Sequence, residues 1–140
     1  MQEITVVHDF AAPIERVFAA LADQDGMGAW MGARISVPTR GVDGLVGTVR
    51  RIHLGPASFD ERIIACEPPG FIAYQIVTPL PLLQRHHGEM RIEARGEGRT
   101  RLTWHIVMEL KPAIIGALVL RPLGLTVKRG LARLSRQLTH

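Results

Sequence analysis

The sequence predicts an α+β domain in which a curved, seven-stranded antiparallel sheet wraps around a long C-terminal helix, with two short helices after the first strand. Two observations carry this prediction. Apolar and polar residues alternate over residues 89–95 and 101–110, which is typical of antiparallel strands with one buried face. Residues 113–138 form a long helical pattern, and this element is large enough to cover that face.

The first strand is predicted at residues 3–10, where β-branched residues are frequent. Pro13 then suits the start of a helix, and apolar residues recur at helical spacing behind it, so a first helix is predicted over residues 13–22. A second short helix or turn is predicted over residues 23–31. The chain therefore forms one strand and two short helices before the rest of the sheet.

The last two strands can be paired through the turn between them. If residue 95 pairs with residue 99, Ile92 faces Leu102 and Met90 faces Trp104, so apolar side chains meet on one face. Unbroken alternation over residues 101–110 then predicts that Leu102, Trp104, Ile106 and Met108 face the C-terminal helix.

A second hairpin is predicted from residues 46–54 and 57–65, around a Gly55-Pro56 turn. If residue 54 pairs with residue 57, Arg50 meets Glu61 on the apolar face. The parity of Ile64 favours the opposite orientation, which would turn Glu61 outward. Two further strands are predicted at residues 34–39 and 71–78.

The C-terminal helix carries its own irregularity. Pro122, with Gly116 and Gly124 close by, predicts an interruption of the helix, because proline removes one backbone hydrogen bond and clashes with the preceding turn. The expected result is a mobile segment at the mouth of the space between helix and sheet.

Composition bounds the class of protein. The 140 residues suit one domain, expected to span residues 1–140, and 46% hydrophobic with 21% charged residues excludes intrinsic disorder. Cys66 is the single cysteine, so neither an internal disulfide nor a Cys-rich zinc site is expected, and no metal or cofactor is predicted. Residues 1–4 lack the pattern of a signal peptide, and a cytoplasmic location is expected.

Positive charge is concentrated at the C-terminal end. Residues 111–140 hold six basic and no acidic residues, a net charge of +6, whereas residues 1–110 hold eleven basic and thirteen acidic residues, a net charge of −2. Basic side chains near a helix C-terminus suit the helix dipole, and no aromatic residue lies among them, so nucleic acid is not the expected partner. Weak contact with a membrane surface remains an alternative.

Several motifs in order resemble the SRPBCC superfamily. Residues 12–18 read A-P-I-E-R-V-F and resemble the opening A-P-x-E-x-V-[WF] of that family. Asp23 and Trp30 resemble the ends of its D-P-x-x-x-x-x-W motif, and residues 98–104 look like its G-x-T-x-L-x-W strand. The nearest branch is the polyketide cyclase/dehydrase-like proteins, which share the helix-grip fold of START lipid-transfer domains and the birch pollen allergen. The resemblance covers nearly the whole chain.

Polar residues on predicted apolar faces mark the candidate site, since such residues are exceptions to apolar burial. The ligand-binding candidates are Arg50, Glu61, Tyr74, His86 and Trp104, and the catalytic candidates are His8, Glu61 and Tyr74. A base, an acid, a cation and a phenol that face one cavity suit a ligand with an apolar body and a few oxygens.

Each candidate also has a purely structural interpretation. Arg50 and Glu61 could form a buried structural pair, and His8 could be a hydrogen-bonded core histidine. Tyr74 and Trp104 could be core aromatic residues.

Two functions follow from the resemblance and these residues. The first is binding of a small hydrophobic ligand, a lipid or a polyketide-like aromatic molecule, between the sheet and the C-terminal helix. The alternative is a cyclase/dehydratase-type enzyme that acts on a polyketide-like substrate by general acid/base chemistry. The partners considered are this small molecule, a membrane surface and a second copy of the chain in a homodimer.

Overall fold

The computed structural model describes residues 2–54 and 56–139, so Gly55 of the predicted Gly55-Pro56 turn lies outside the described residues. Within them the chain forms seven strands, three α-helices and one short 3-10 helix. In chain order these are β1 (Gln2–Phe10), α1 (Ile14–Ala22), α2 (Met27–Met31), β2 (Arg34–Thr39), the 3-10 helix (Val42–Gly44), β3 (Val49–Leu54), β4 (Ala57–Glu67), β5 (Phe71–Ile76), β6 (Leu83–Ala94), β7 (Thr100–Leu110) and α3 (Ala113–Leu138).

The strands form one antiparallel sheet in the order β1-β7-β6-β5-β4-β3-β2. The predicted α+β fold is thereby confirmed, with α3 packed on one face of the sheet. The register between β6 and β7 pairs Ile92 with Leu102 and Met90 with Trp104, as the turn arithmetic predicts. All four of these side chains are buried.

The hairpin of β3 and β4 also has the predicted register, with Arg50 opposite Glu61 and Arg51 opposite Asp60. Strand β3 begins at Val49 instead of residue 46. Gly47 explains the later start, because its φ of 89° turns the chain away from extended geometry. The N–H of Gly47 still donates to the carbonyl of Ile63 at 2.9 Å, so the turn is tied to β4.

A bulge in β4 decides which way Glu61 points. Ile63 pairs with Tyr74 and Ala65 with Ala73, so Ile64 is an extra residue on the β4 side. Because of this extra residue, inward-facing side chains fall on odd-numbered positions before Ile64 and on even-numbered positions after it. Glu61 is therefore 7% exposed and inward, and the alternative that Ile64 favoured, an outward Glu61, is wrong.

The core lies between the sheet and the C-terminal part of α3, where Val127, Leu131 and Leu134 are buried. Trp30 of α2 meets Trp104 of β7 edge-on, with ring centroids 6.2 Å apart. This contact joins the short helices to the sheet beneath α3.

The C-terminal helix runs without interruption from Ala113 to Leu138, so the predicted break at Pro122 is wrong. Proline removes the hydrogen bond that its own N–H would make and crowds the preceding turn, and packing on both sides compensates for this cost. Leu120 before Pro122 and Val127 after it are both buried. The helix therefore covers the sheet as one continuous element.

Candidate ligand cavity

A cavity of about 490 Å³ lies between the sheet and the first half of α3. Its wall is mostly apolar. Representative lining residues are Phe59, Ile76, Ile106 and Met108 of the sheet, Leu80 and Leu82 of the β5–β6 connection, and Val119 and Leu123 of α3. Leu82 and Val119 are also 46% and 39% exposed, so they lie where the cavity opens to the outside.

Three polar side chains belong to the wall: Glu61, Tyr74 and His86. The rings of Tyr74 and His86 are 5.6 Å apart. Burial raises the pKa of the Tyr74 hydroxyl above its usual range, and the negative charge of Glu61 raises it further. The phenol is therefore neutral, and it lies within electrostatic reach of the carboxylate.

Glu61 is held by a buried arginine. Arg50 Nε donates to Glu61 Oε1 at 2.8 Å, and Arg50 Nη1 donates to Gln24 Oε1 at 2.8 Å. The guanidinium carbon of Arg50 lies 4.5 Å from the ring centroid of Tyr74. Arg50 Nη2 is buried and has no hydrogen-bond partner among the described residues. This predicted ligand-binding residue does not line the cavity; it contacts Glu61 and Tyr74, which do.

Tyr74 has a defined hydrogen-bond role. Trp104 Nε1 donates to the Tyr74 hydroxyl oxygen at 2.9 Å. Because the oxygen accepts this bond, the hydroxyl hydrogen remains available to donate. Trp104, another predicted ligand-binding residue, is 1% exposed and fixes Tyr74 without lining the cavity.

His86 occupies the place where two strands separate. Backbone pairing between β5 and β6 extends only to Tyr74 and Gly88. Beyond that point the N–H of Ile76 donates to His86 Nδ1 at 3.1 Å, so a side chain replaces the backbone acceptor. Burial, with smaller contributions from the charges of His87 and Arg50, lowers the pKa of His86 to about 4.

A neutral His86 whose Nδ1 accepts a hydrogen bond carries its proton on Nε2. The polar groups of the wall then provide two donors, the Tyr74 hydroxyl and His86 Nε2, and one acceptor, the second carboxylate oxygen of Glu61. That oxygen has no hydrogen bond among residues 2–54 and 56–139. Such a set matches a carbonyl or hydroxyl oxygen of a ligand.

His8 is not brought to this cavity. Its Nε2 lies 2.6 Å from Ser135 Oγ of α3, and its ring meets Phe10 edge-on at 4.6 Å. Burial lowers the pKa of His8. These contacts fit the structural interpretation of His8 and place it apart from Glu61 and Tyr74; a catalytic role for His8 stays a prediction.

Sequence reasoning missed two contributors. Gln24 completes the hydrogen bonding of Arg50, although nothing in its sequence context indicates a contact with β3. Residues 77–82 contribute apolar side chains to the opening. The leucines and two prolines in this short connection are the sequence feature that could have indicated this role. In the described part of the chain, no three His, Cys, Asp or Glu side chains are arranged to hold a metal ion. No described helix is long and apolar enough to cross a membrane.

A curved antiparallel sheet that holds an apolar cavity against a long C-terminal helix defines the helix-grip class of ligand-binding folds. Residues 1–139 match the model of the family described as polyketide cyclase / dehydrase and lipid transport. The chain belongs to this family, as its sequence motifs predict.

Solved structures share the fold at low sequence identity. A START superfamily protein from Mycobacterium smegmatis has a TM-score of 0.79 at 15% identity, over 98% of this chain and 97% of that one. The Aha1 dimer from Colwellia psychrerythraea has a TM-score of 0.76 at 18% identity, over 99% and 96%. Norcoclaurine synthase from Thalictrum flavum, in truncated form, has a TM-score of 0.76 at 13% identity, over 97% and 92%. No curated protein matches the chain in sequence.

Proposed function

We propose that the chain binds a small hydrophobic molecule that carries a carbonyl or hydroxyl oxygen. The observation that carries the proposal is the cavity of about 490 Å³, which is apolar apart from Glu61, Tyr74 and His86. Cavities of roughly 300–1,000 Å³ with few convergent polar groups are typical of small-molecule sites. The family description, which names both cyclase/dehydrase proteins and lipid transport, supports the same class of ligand.

The polar groups suggest how the ligand lies. A ligand carbonyl accepts hydrogen bonds from the Tyr74 hydroxyl and from His86 Nε2, while a ligand hydroxyl donates to the free oxygen of Glu61. The apolar body then extends toward Val119 and Leu123 of α3. Since these polar groups are fixed by Arg50, Trp104 and the N–H of Ile76, they are preorganised for the ligand.

A second candidate is an enzyme of the cyclase/dehydratase type. The observation that favours it is a carboxylate, Glu61, in the same apolar wall as two neutral proton donors. Such a carboxylate could remove a proton next to a carbonyl whose oxygen is held by Tyr74 and His86, as aldol cyclisation and dehydration require. A structure of norcoclaurine synthase in complex with dopamine and hydroxybenzaldehyde shares this fold at 14% identity, which supports an enzyme on such a scaffold without assigning its reaction here.

The binding proposal is tested by native mass spectrometry and by fluorescence titration. Native mass spectrometry of the purified protein should show a co-purified hydrophobic molecule, and titration with Nile red should give saturable binding. Val119→Trp places a large ring at the opening of the cavity and should weaken Nile red binding at least about tenfold. Val7→Trp is the matched control, because Val7 is 55% exposed and lies outside the cavity wall. Equal binding by both variants would show that the dye binds elsewhere and would overturn the proposal.

The enzyme candidate needs a separate measurement. A synthetic β-hydroxy ketone with an aromatic tail is incubated with the protein, and loss of water is followed by mass spectrometry. Turnover that falls about a hundredfold or more in Glu61→Gln, while the affinity for the substrate changes little, would support the enzyme. Binding of the ketone without turnover would leave the ligand-binding function as the sole candidate.

A further inference from the structure

The outward side of α3 carries a stripe of exposed apolar residues. Ile114, Leu118 and Leu125 are 68%, 67% and 53% exposed. They follow one another at intervals of four and seven residues, which places them on one side of the helix. Large aliphatic side chains this exposed in a row are unusual at a surface that meets only water.

Basic residues accompany the stripe. Arg121 lies between Leu118 and Leu125, and Lys128 follows one turn later; both are exposed. We define the α3 stripe as Ile114, Leu118, Arg121, Leu125 and Lys128. The described part of residues 111–140 holds no acidic side chain that could neutralise these cations.

The stripe borders the opening of the cavity. Leu118 is next to Val119, which lines the cavity and is 39% exposed. On the other side of the opening, Leu82 is 46% exposed and also lines the cavity. Leu118 thus brings the N-terminal part of the stripe beside the cavity opening.

We propose that the α3 stripe docks the cavity opening against an anionic lipid bilayer. A helix that lies in the interfacial plane uses an apolar side flanked by lysine and arginine, and the stripe has both features. Anionic headgroups supply negative charge to Arg121 and Lys128. The proposal goes beyond ligand binding: it adds the surface from which a hydrophobic ligand would enter or leave the cavity without crossing water.

Charge argues against a second copy of the chain on the same surface. A symmetric dimer through the stripe would pair this basic surface with a copy of itself, with no acidic side chain in the described part of residues 111–140 to compensate. Like charges that face each other at an interface repel and disfavour the pairing. A bilayer offers the complementary charge and the apolar interior at once.

The test is flotation of the protein with vesicles. Vesicles of phosphatidylcholine mixed with phosphatidylglycerol should bind the protein at low salt, and vesicles of phosphatidylcholine alone should bind it weakly. Leu118→Gln should lower the partition coefficient about tenfold, because it removes one buried aliphatic side chain from the interface. Arg121→Gln with Lys128→Gln should lower it by a similar factor and reduce the salt dependence.

Two control variants change exposed residues that do not line the cavity. Val42→Gln changes a valine that is 75% exposed beside the edge strand β2, and Arg99→Gln changes an exposed arginine in the β6–β7 turn. Both controls should float as the unchanged protein does. Since all these positions are exposed, the variants should fold, and equal thermal midpoints would verify this.

Three results would overturn the proposal. These are no flotation with anionic vesicles at low salt, flotation unchanged by Leu118→Gln, and a dimer in light scattering that Leu118→Gln converts to a monomer. The last result would make the α3 stripe a subunit interface. Nile red binding without vesicles separates the two proposals: dye binding without flotation overturns docking alone, and flotation without dye binding overturns ligand binding alone.

Discussion

The ring of Tyr74 lies directly over Gly88 on the neighbouring strand. The two residues are partners in the β5–β6 register, and a β-carbon at Gly88 would overlap the ring and come within 2.7 Å of the hydroxyl oxygen. Only glycine leaves the space that the ring occupies. Gly88 therefore determines the position of a phenol that lines the cavity.

Gly88→Ala should accordingly displace Tyr74 and break its hydrogen bond with Trp104. We expect the free energy of unfolding to fall by about 1–3 kcal/mol, as for other overpacked sites. Nile red affinity should fall as well, because displacement of the Tyr74 ring changes the shape of the cavity wall. Gly70→Ala is the control: a β-carbon there meets the carbonyl oxygen of Ile92 at 3.4 Å, an ordinary contact. Equal stability of the two variants would contradict the role assigned to Gly88.

Breaking the buried pair of Arg50 and Glu61 should cost more stability than breaking an exposed ion pair on the same sheet. Glu61→Gln leaves a buried guanidinium without its counter-charge and should cost about 3 kcal/mol in urea unfolding. Adding Arg50→Met should recover part of that loss, because the stranded charge is removed.

The neighbouring pair of Arg51 and Asp60 is the matched control for this experiment. Its atoms are also 2.8 Å apart, but its side chains are 42% and 24% exposed. Asp60→Asn should therefore cost less than about 1 kcal/mol. A cost for Glu61→Gln as small as that for Asp60→Asn would show that the buried pair contributes no more than a surface pair.

His86 should make the protein less stable in mild acid. Its pKa is about 4 in the folded protein, below the ordinary histidine value of 6.5 that applies to the unfolded chain. Between these two values the unfolded state binds a proton that the folded state does not, so stability falls as pH falls through this window. His86→Asn keeps an acceptor for the N–H of Ile76 and removes the titration. The difference in free energy of unfolding between the two proteins should therefore change with pH between about 6.5 and 4, and be constant above it. A difference that does not vary with pH would refute this account.

Pro122 should limit the stability of α3 although it does not interrupt the helix. Pro122→Ala restores an N–H that can donate to the carbonyl of Leu118, so we expect the free energy of unfolding to rise by about 1–3 kcal/mol. Gly124→Ala provides a comparison at a nearby helical position where a β-carbon meets only Ile4 Cδ1, at 4.0 Å. Its gain should be about 1 kcal/mol, from helix propensity alone. Calorimetry of both variants would measure the two gains, and a loss of stability in Pro122→Ala would contradict the expectation.

Much of the fold could be predicted because apolar and polar residues alternate regularly in the last two strands. The alternation of residues 101–110 and the short turns specify both the buried face and the pairing of Arg50 with Glu61. Tyr74 and His86 follow the same parity into the cavity wall. Their roles in ligand binding stay predictions.

The remaining features depend on contacts that sequence periodicity does not record. The bulge at Ile64 is one extra residue in a uniformly apolar segment, so parity alone gave two answers for Glu61. The bond between His86 and the N–H of Ile76 arises where two strands part. The continuity of α3 across Pro122 depends on packing around it, which outweighs the local preference of one residue.

The two halves of α3 differ in what they pack against. In the C-terminal half, Val127, Leu131 and Leu134 are buried in the core. In the first half, Val119 and Leu123 face the cavity. Backbone amides in the half above the cavity should therefore exchange their hydrogen for deuterium sooner than amides after Val127. A bound ligand that fills the cavity should slow exchange in the first half only. Deuterium uptake along this single helix would thus report occupancy of the cavity, even before the ligand itself has been identified.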